Sequence, residues 1–242
     1  MSPSVARSFD VIERKQSTGP TDQSLLSRLP EHLLTQLFGR ATTVRLKTDE
    51  VLFLAGDTSD GCYRVDDGLI KVAMVSHAGK ERIIAFLGPG TIVGEMSIID
   101  QLPRSANVVA VRPAVLSFVS RTDFRDFAKI HPEVYESLVA LLAARLRETD
   151  ITIAAGTFLP VRGRIACTLL ELAEEFGRDV VGSGRTVIHQ KICQTDLAAM
   201  AGVSRENVNR TLNDLKRCKL VNQLNGYYCI ENKAQLQKEA QL

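Results

Sequence analysis

The residues of this chain whose types and spacing could bind a small charged molecule lie in one stretch, GEMSIIDQLPRSANVV, at residues 94–109. Glu95 and Arg104 stand nine positions apart, Gly94 precedes the glutamate, and Ser105 follows the arginine. A carboxylate and a guanidinium at this spacing could form an internal salt bridge, or they could bind one small ligand together. The flanking small residues favour the ligand, because a salt bridge alone needs none of them.

A second polar group of residues lies in TDLAAMAGVSRENVNRTLNDLKR, at residues 195–217. Apolar residues recur at helical spacing on both sides of Gly202, which predicts two helices, at 195–201 and 204–218, joined by a tight turn. Thr195 is expected to cap the first helix and Ser204 the second. This is the pattern of a helix-turn-helix.

The second of these helices is expected to bury Val208, Leu212 and Leu215. Its other side carries Arg205, Glu206, Asn209, Arg210, Asn213 and Arg217. Any exposed helix would be polar there, but Arg205 and Glu206 lie in the first turn, the part that enters a major groove. Arginine can donate two hydrogen bonds to guanine and glutamate can accept one from cytosine, so the helix is predicted to read DNA.

Composition limits the classes of protein to which the chain can belong. Its 242 residues are enough for two domains, and 45% hydrophobic with 24% charged residues is ordinary for a soluble protein. No apolar run approaches the roughly 18 residues of a membrane span, and residues 1–24 resemble a polar, mobile extension without a secretory signal. The net charge of +2 does not by itself indicate nucleic acid.

Five cysteines are spread through the chain without a CxxC pair, so we expect free, buried thiols and no metal site. No glycine-rich phosphate loop or nucleophile motif follows the first domain, so the chain is predicted not to be an enzyme.

Two kinds of periodicity divide the chain. A helix is predicted over 25–39, and from about 44 to 120 short runs rich in valine, isoleucine and phenylalanine alternate with glycines, which predicts a compact barrel or roll. The tip of one hairpin is expected at 77–81, with Gly79 at positive φ. From Thr122 the period becomes helical.

A long helix is predicted to end at a hinge at Phe158–Pro160. Its apolar seam consists of Leu138, Leu142, Leu146, Thr149 and Ile153. This spacing favours a two-stranded coiled coil between copies of the chain over packing on its own domain. Beyond the hinge we expect a helix at 161–176, a glycine-bearing hairpin at 178–193, and a last strand pair that turns at Asn225–Gly226.

Two stretches carry a resemblance to a known family. FLPVRGRIACTLLELA, followed by AGVSRENVNRTLNDLK, resembles the winged-helix domain of the cAMP receptor protein (CRP–FNR) family, and GEMSIIDQLPRSA resembles the phosphate-binding cassette of cyclic-nucleotide domains. The resemblance covers nearly the whole chain from about residue 25. It implies an α+β fold whose segments are an extension at 1–24, a cyclic-nucleotide-binding β-roll at 25–130, a dimerisation helix at 131–158 and a winged helix-turn-helix domain at 159–242.

The resemblance also implies a cyclic-nucleotide site in the cassette, residues 94–106. Arg104 and Ser105 would bind the cyclic phosphate, and Glu95 would accept from the ribose 2′-hydroxyl. The implied ligand-binding residues are Gly94, Glu95, Met96, Arg104, Ser105, Ala106, Thr149 and Asp150.

The residues leave the choice of base open. By resemblance Thr149 bonds the purine edge, and Asp150 stands where cAMP-responsive relatives contribute a serine from the partner subunit. A carboxylate can accept from the amine of adenine or from two donors of guanine, and Asp150 could equally be an exposed helix charge. We expect cAMP to be the activating ligand, with cGMP as a second binder.

For DNA, the resemblance matches Arg205, Glu206 and Arg210 to the three base-reading residues of the family. It implies a TGTGA-like half-site repeated as a palindrome, a homodimer, RNA polymerase as a partner, and a place in the bacterial cytoplasm on the nucleoid. The implied DNA-binding residues are Thr195, Ser204, Arg205, Glu206, Asn209 and Arg210. The alternatives are a regulator of the same family that answers another signal and one that binds DNA constitutively.

Overall fold

The structure, a computed structural model, describes residues 31–180 and 182–241. The predicted extension at 1–24 and the beginning of the helix predicted over 25–39 lie outside the described residues. The rest of that helix, α1, spans Glu31–Phe38 and ends just before a glycine, as its sequence predicts.

Within the described residues, the first domain is a roll made of a six-stranded antiparallel sheet. Its strands are β1 (Thr42–Leu46), β2 (Val51–Phe53), β3 (Gly61–Val75), β4 (Glu81–Leu87), β5 (Ile92–Val93) and β6 (Asn107–Ser120). Strands β1, β6, β3 and β4 lie side by side in that order, while β2 pairs with β6 and β5 pairs with β3. The predicted strand-rich roll is therefore confirmed, with its hairpin tip between β3 and β4.

The two longest strands differ from the short runs that the sequence predicts. Strand β3 continues through Gly68, where φ is +93° and a Cβ would lie 2.3 Å from the carbonyl oxygen of Pro113. The pairing of β3 with β6 shifts register between Asp67 and Leu69. Gly68 thus forms a bulge inside one long strand, where the sequence pattern indicated a break between two.

Helices close one end of the roll. They are α2 (Met96–Asp100), which lies within the cassette, and α3 (Arg121–Ile130), which follows β6. Ile98 and Phe124 from these two helices pack with Leu33 of α1 in a buried cluster. The cassette helix is therefore anchored to the roll by an apolar side chain.

The long helix α4 spans Glu133–Phe158 and leaves part of its predicted seam uncovered. Leu146 and Ile153 are 63% and 61% exposed, while Leu142 is partly buried against the roll. The side chain of Leu138 lies outside the described part of the chain. Exposed leucine and isoleucine on one long helix agree with the coiled-coil prediction, which needs a second copy of the chain to bury them.

The second domain follows two residues after α4. Its elements are α5 (Val161–Phe176), β7 (Gly177–Val180), β8 (Arg185–Ile188), α6 (Gln194–Ala201), α7 (Arg205–Arg217), β9 (Val221–Leu224), β10 (Tyr227–Ile230) and α8 (Lys233–Glu239). The strands form a sheet in the order β7, β8, β10, β9, and Asn225 and Gly226 both have positive φ in the predicted turn. Helix α8 was not predicted, because its seven residues are mostly polar and bury only Leu236.

The two domains meet at β4. The rings of Phe86 on β4 and Phe176 on α5 pack edge to face with centroids 6.5 Å apart. Ile83 of β4 belongs to the same buried cluster as Ala198 of α6, and a Cβ on Gly202 would lie 2.3 Å from Nη1 of Arg82. Strand β4 is thus part of the roll and also of the contact with the second domain.

The expectation of buried thiols is wrong for two cysteines. Cys62 is buried, but Cys193 and Cys218 are exposed because they lie at helix ends, before α6 and after α7. Among the described residues, no group of histidine, cysteine, aspartate and glutamate could hold a metal ion. In the same part of the chain, no helix combines the length and the apolar character of a membrane span.

Candidate ligand-binding site and nucleic-acid interface

The cassette folds as a short helix between its two charged residues. Helix α2 begins directly after Glu95 and ends at Gln101, which takes the left-handed conformation. Gly94 has φ +82°, and a Cβ on it would lie only 2.3 Å from Nη1 of Arg104. A glycine is therefore required at this position, both by the positive φ of the backbone and by the close approach of the arginine side chain.

Arg104 is buried, with 5% of the residue exposed. Its guanidinium carbon lies 4.3 Å from the ring centroid of Phe53 and 5.8 Å from that of Tyr63. Burial lowers the pKa of the Arg104 guanidinium, while Tyr63, Asp60 and other neighbours raise it. Because the ordinary pKa of arginine is far above neutral, the side chain stays a cation, packed against two neighbouring aromatic rings whose centroids are 6.1 Å apart.

The two edges of this guanidinium are used differently. On one edge, Nη1 donates to the carbonyl oxygen of Gly94 at 2.9 Å and to Oγ of Ser97 at 3.0 Å. On the other edge, Nε is buried without a hydrogen-bond partner among the described residues, and no described residue accepts from Nη2. Nε and Nη2 present two parallel donors, the geometry that binds two oxygens of one anion.

A loop between β2 and β3 holds the backbone on either side of this arginine. The N–H of Arg104 donates to the carbonyl of Asp57 at 2.9 Å, and the N–H of Gly56 donates to the carbonyl of Arg104 at 2.8 Å. The N–H of Ala55 donates to Oδ1 of Asn107 at 2.7 Å. The position of the guanidinium is thus set by the main chain of two segments that the sheet brings together.

The other predicted cassette residues lie beside Arg104 on one wall of a cleft. Glu95 is 3% exposed, whereas Ser105 and Met96 are exposed and their side chains approach each other at 3.8 Å. Ala106 is half-buried beside them. The predicted residues of the cassette are therefore brought together on one wall.

The cleft has a volume of about 820 Å³ and continues from the cassette to α4 and the second domain. Thr149 and Ile153 of α4 line it, as do Val72 and Ala85 of the sheet. Asp150 is exposed and is not among the described residues that line the cleft. Within one chain the structure brings Thr149 to the site and leaves Asp150 outside it.

Sequence reasoning missed three contributors to this site. Ser97 accepts a hydrogen bond from Nη1 of Arg104, and the rings of Phe53 and Tyr63 pack near its guanidinium. Ser97 lies inside the cassette, so its position was a signal, but the aromatic residues come from distant strands. Their role depends on the pairing of the sheet, which the local pattern does not give.

The polar side of α7 is exposed as predicted. Arg205, Glu206, Asn209 and Arg210 are all exposed, while Val208 on the opposite side is fully buried. The predicted helix cap is present at Ser204, whose Oγ accepts from the N–H of Asn207 at 3.2 Å. The structure therefore brings the predicted base-reading residues together on one exposed face.

The predicted cap of α6 is wrong. Thr195 lies inside the first turn of α6, and Cys193 is the capping residue, with Sγ accepting from the N–H of Asp196 at 3.3 Å. The helix begins one residue earlier than the pattern indicates, so the cap falls on a cysteine, a residue type that is not among the preferred caps. Thr195 stays near the helix N-terminus, and its predicted phosphate contact stays a prediction.

Glu206 is held at the N-terminus of its own helix. A hydrogen bond from its own backbone N–H, and next one with the Ser204 side chain, lower the pKa of the Glu206 carboxyl. On the same face, Nδ2 of Asn213 donates to Oδ1 of Asn209 at 3.1 Å. These exposed side chains bond one another or their own helix.

Comparison with known proteins identifies a family domain in each half of the chain. The chain matches the models of two families, the cyclic nucleotide-binding domain over residues 43–131 and the Crp-like helix-turn-helix domain over residues 163–239. It is 38% identical over 164 residues to the cyclic AMP receptor protein of Thermus thermophilus, across 68% of this chain and 72% of that protein. It is 31% identical over 205 residues to the CRP-like cAMP-activated global transcriptional regulator of Mycobacterium tuberculosis, across 85% of this chain and 87% of that protein.

Solved structures share the fold. The c-di-GMP responsive global regulator CLP of Xanthomonas campestris aligns with a TM-score of 0.72 at 21% identity, over 83% of this chain and 99% of that one. The chain belongs to the CRP–FNR family of DNA-binding transcription regulators that carry a cyclic-nucleotide-binding domain.

Proposed function

We propose that a cyclic nucleotide controls this regulator and that cAMP is the activating ligand. The observation that carries the proposal is the free edge of Arg104, a buried cation whose Nε has no acceptor among the described residues. An unsatisfied buried donor costs on the order of 1–3 kcal/mol, and more when it is charged. A cyclic phosphate removes this cost, because it carries one negative charge and two oxygens outside its ring that match the two donors.

The neighbouring residues fit the remaining groups of such a ligand. The hydroxyl of Ser105 and the backbone N–H groups of Ser105 and Ala106 would complete the phosphate contacts. The buried carboxylate of Glu95 would accept from the ribose 2′-hydroxyl. These roles are supported by the position of the residues on one wall of the cleft.

The base is proposed to lie against α4. Thr149 lines the cleft within one chain, and Asp150 of the partner subunit would reach the purine from outside it. Relatives named for cAMP support adenine. The carboxylate also suits the two donors of guanine, so we propose cGMP as a second, weaker ligand.

The active unit is proposed to be a homodimer that binds DNA with two helices. The exposed leucine and isoleucine of α4 would be buried between two copies. Arg205, Glu206 and Arg210 of each copy would read one half of a TGTGA-like palindrome, with the half-sites one turn of DNA, roughly 34 Å, apart. Thr195 and Ser204 would contact phosphates, and Asn209 would assist on the same face.

The ligand is proposed to act through α4 and the break that follows it. The cleft is lined by α4 and by β4, and β4 also contacts the second domain. Ligand binding would change the register of the two long helices and turn each second domain about Leu159 and Pro160. Such a switch requires that the ligand bind the DNA-competent arrangement more tightly than the other. We propose that the regulator works in the bacterial cytoplasm, on the nucleoid, together with RNA polymerase.

Two measurements on the purified chain test the proposal. Calorimetric titration with cAMP and with cGMP should give saturable binding of both, with cAMP the tighter. Binding to a labelled TGTGA-like palindrome, measured with and without cAMP at one fixed salt concentration, should be stronger with the ligand. Equal affinity for the operator in both conditions would contradict control by the ligand.

One observation favours a second candidate, a family member that answers a different signal. The same fold occurs in a regulator described as responsive to c-di-GMP. A calorimetric titration with c-di-GMP distinguishes the two candidates. Only the second candidate predicts that c-di-GMP binds and that cAMP does not. Operator binding of equal strength with and without each of these nucleotides would indicate the constitutive alternative.

A further inference from the structure

Behind the cassette, hydrogen bonds connect Arg104 to a second arginine through Ser97. The hydroxyl of Ser97 accepts from Nη1 of Arg104 at 3.0 Å and donates to the carbonyl of Gly94 at 2.9 Å. The carbonyl of the same serine accepts from Nη2 of Arg121 at 2.9 Å. One residue of α2 is therefore bonded through its side chain to the first arginine and through its main chain to the second.

Arg121 is itself held in place. It is the first residue of α3, and its Nη2 also donates to the carbonyl of Ser59 at 2.6 Å. Its backbone N–H donates to the carbonyl of Asp60 at 2.6 Å, while its Nε is buried without a partner among the described residues. The side chain thus joins the loop before β3 to the cassette helix.

The hydroxyl of Ser97 has a directional effect on Arg104. A serine hydroxyl carries one proton, and since that proton points to the carbonyl of Gly94, the oxygen can only accept from the arginine. Nη1 is consequently held between two acceptors that lie 2.9 and 3.0 Å away. Because a guanidinium is planar, two fixed acceptors on one edge also fix the direction of the opposite edge, Nε and Nη2.

We propose that Ser97 and Arg121 are positioning residues that set the orientation of the Arg104 fork and so set the affinity of the cassette for an anionic group. Ser97 lines the cleft but is only 3% exposed, and its hydroxyl already donates to Gly94 and accepts from Arg104, so its effect on a ligand is expected to pass through the arginine. The inference rests on the proposed function, since the anionic group is the cyclic phosphate.

The test is a double-mutant cycle read by calorimetric titration with cAMP. Ser97→Ala removes one acceptor from Nη1 and should weaken binding about tenfold, which corresponds to the loss of one hydrogen bond to a charged group. In an Arg104→Lys background, which keeps the charge but lacks the planar fork, the same substitution should change the affinity by less than about threefold. A structural role alone would produce equal losses in both backgrounds.

A matched control and a second variant keep the result decisive. Ser117→Ala removes another roll hydroxyl, one that bonds Oδ2 of Asp66 at 2.5 Å, and should leave the affinity for cAMP unchanged. Arg121→Met should weaken binding and Arg121→Lys should restore part of the loss, which tests the connection even if Ser97→Ala does not fold.

The outcomes separate the two proposals. If the unmutated chain binds neither cAMP nor cGMP, the proposed function fails. If the unmutated chain binds cAMP and the affinity of Ser97→Ala is within twofold of it, the positioning role is overturned while the proposed function stands. The same conclusion follows if Ser97→Ala reduces the affinity by the same factor in the Arg104→Lys background as in the unmutated chain.

Discussion

The cassette and α7 both carry arginines that are proposed to meet phosphate-bearing partners, yet they hold these side chains in opposite ways. Arg104 is buried, stacked on an aromatic ring and bonded along one edge by the protein itself. Arg205 and Arg210 are exposed, and Glu206 bonds the end of its own helix. The cassette holds one oriented donor pair that suits one small anion, while the helix presents several exposed side chains that suit a long polyanion.

This difference predicts how each region responds to change. A buried, oriented charge has few alternatives when its geometry is disturbed, so a single substitution in the cassette should remove most of the affinity. On the helix, attraction to phosphates is shared among many groups and screened by salt, so a single substitution should change selectivity more than affinity.

The largest effect is expected from Arg104→Leu. The loss of the paired donors should weaken cAMP binding about 1,000-fold or more, since breaking a buried charge pair costs roughly 3–5 kcal/mol. The free protein should melt at the same or a higher temperature, because the variant no longer buries a cation with an unpaired Nε. Calorimetry and a thermal melt of the same sample check both expectations, and residual binding within tenfold of the original would refute the role given to this edge.

Gly94→Ala should have the next largest effect. The new Cβ would lie 2.3 Å from Nη1 of Arg104, in a residue whose φ is +82°. Strain and displacement together are expected to cost about 2–3 kcal/mol, or roughly 30- to 150-fold in affinity for cAMP. Gly79→Ala is the matched control, since its φ is +75° and nothing lies within 4 Å of its added Cβ. Equal losses of ligand affinity in both variants would mean that the close approach to Arg104 is unimportant.

Glu206→Ala should change base selectivity and little else. Without the carboxylate acceptor, the preference for the intended G·C pair over a changed pair should fall about tenfold, while the salt dependence of binding stays nearly the same. Gln235→Ala, which removes an exposed amide on α8 and leaves α7 unchanged, is the control. Since the pKa of the Glu206 carboxyl is lowered, the carboxylate persists below its ordinary titration range, and selectivity should be constant between pH 6 and 8. Competition between two labelled duplexes at several salt concentrations measures both quantities.

The same comparison explains how far the sequence can be interpreted. Helix α7 was predictable nearly in full, because its buried residues, its cap and its exposed face all follow from spacing within one helix. Val208 is buried and Ser204 caps the helix, as predicted. The cassette was predictable in its charged residues but not in what holds them. Phe53 and Tyr63 reach Arg104 only because the strands pair. Gly68 forms a bulge within β3, although the sequence around it resembles that of a turn. The cap of α6 fell on Cys193 for a similar reason, because the start of a helix depends on the loop that leads into it.

The smallest effect is expected at Arg162, an arginine that is held by hydrogen bonds but is not buried. It therefore tests orientation apart from burial. Arg162 at the start of α5 bonds Glu239 of α8 twice, at 2.7 and 2.9 Å, but both side chains are partly exposed. Glu239→Gln should lower the free energy of unfolding by about 0.5–1 kcal/mol at neutral pH and leave cAMP and operator binding unchanged. The pair lowers the pKa of the Glu239 carboxyl, so its stabilisation is present above the ordinary carboxyl range and is lost as the pH falls through the lowered value.

Thermal melts of Glu239→Gln and the unmutated chain should therefore differ at pH 7 and converge in acid. Asp126→Asn, which breaks an exposed pair with Lys129, is the control and should show no measurable difference at either pH. Arg162, like Arg104, is held by two hydrogen bonds, but its side chain is 32% exposed to solvent. If Glu239→Gln lowered the free energy of unfolding by roughly 3–5 kcal/mol, the cost of breaking a buried charge pair, burial would not be what separates a strong arginine pair from a weak one.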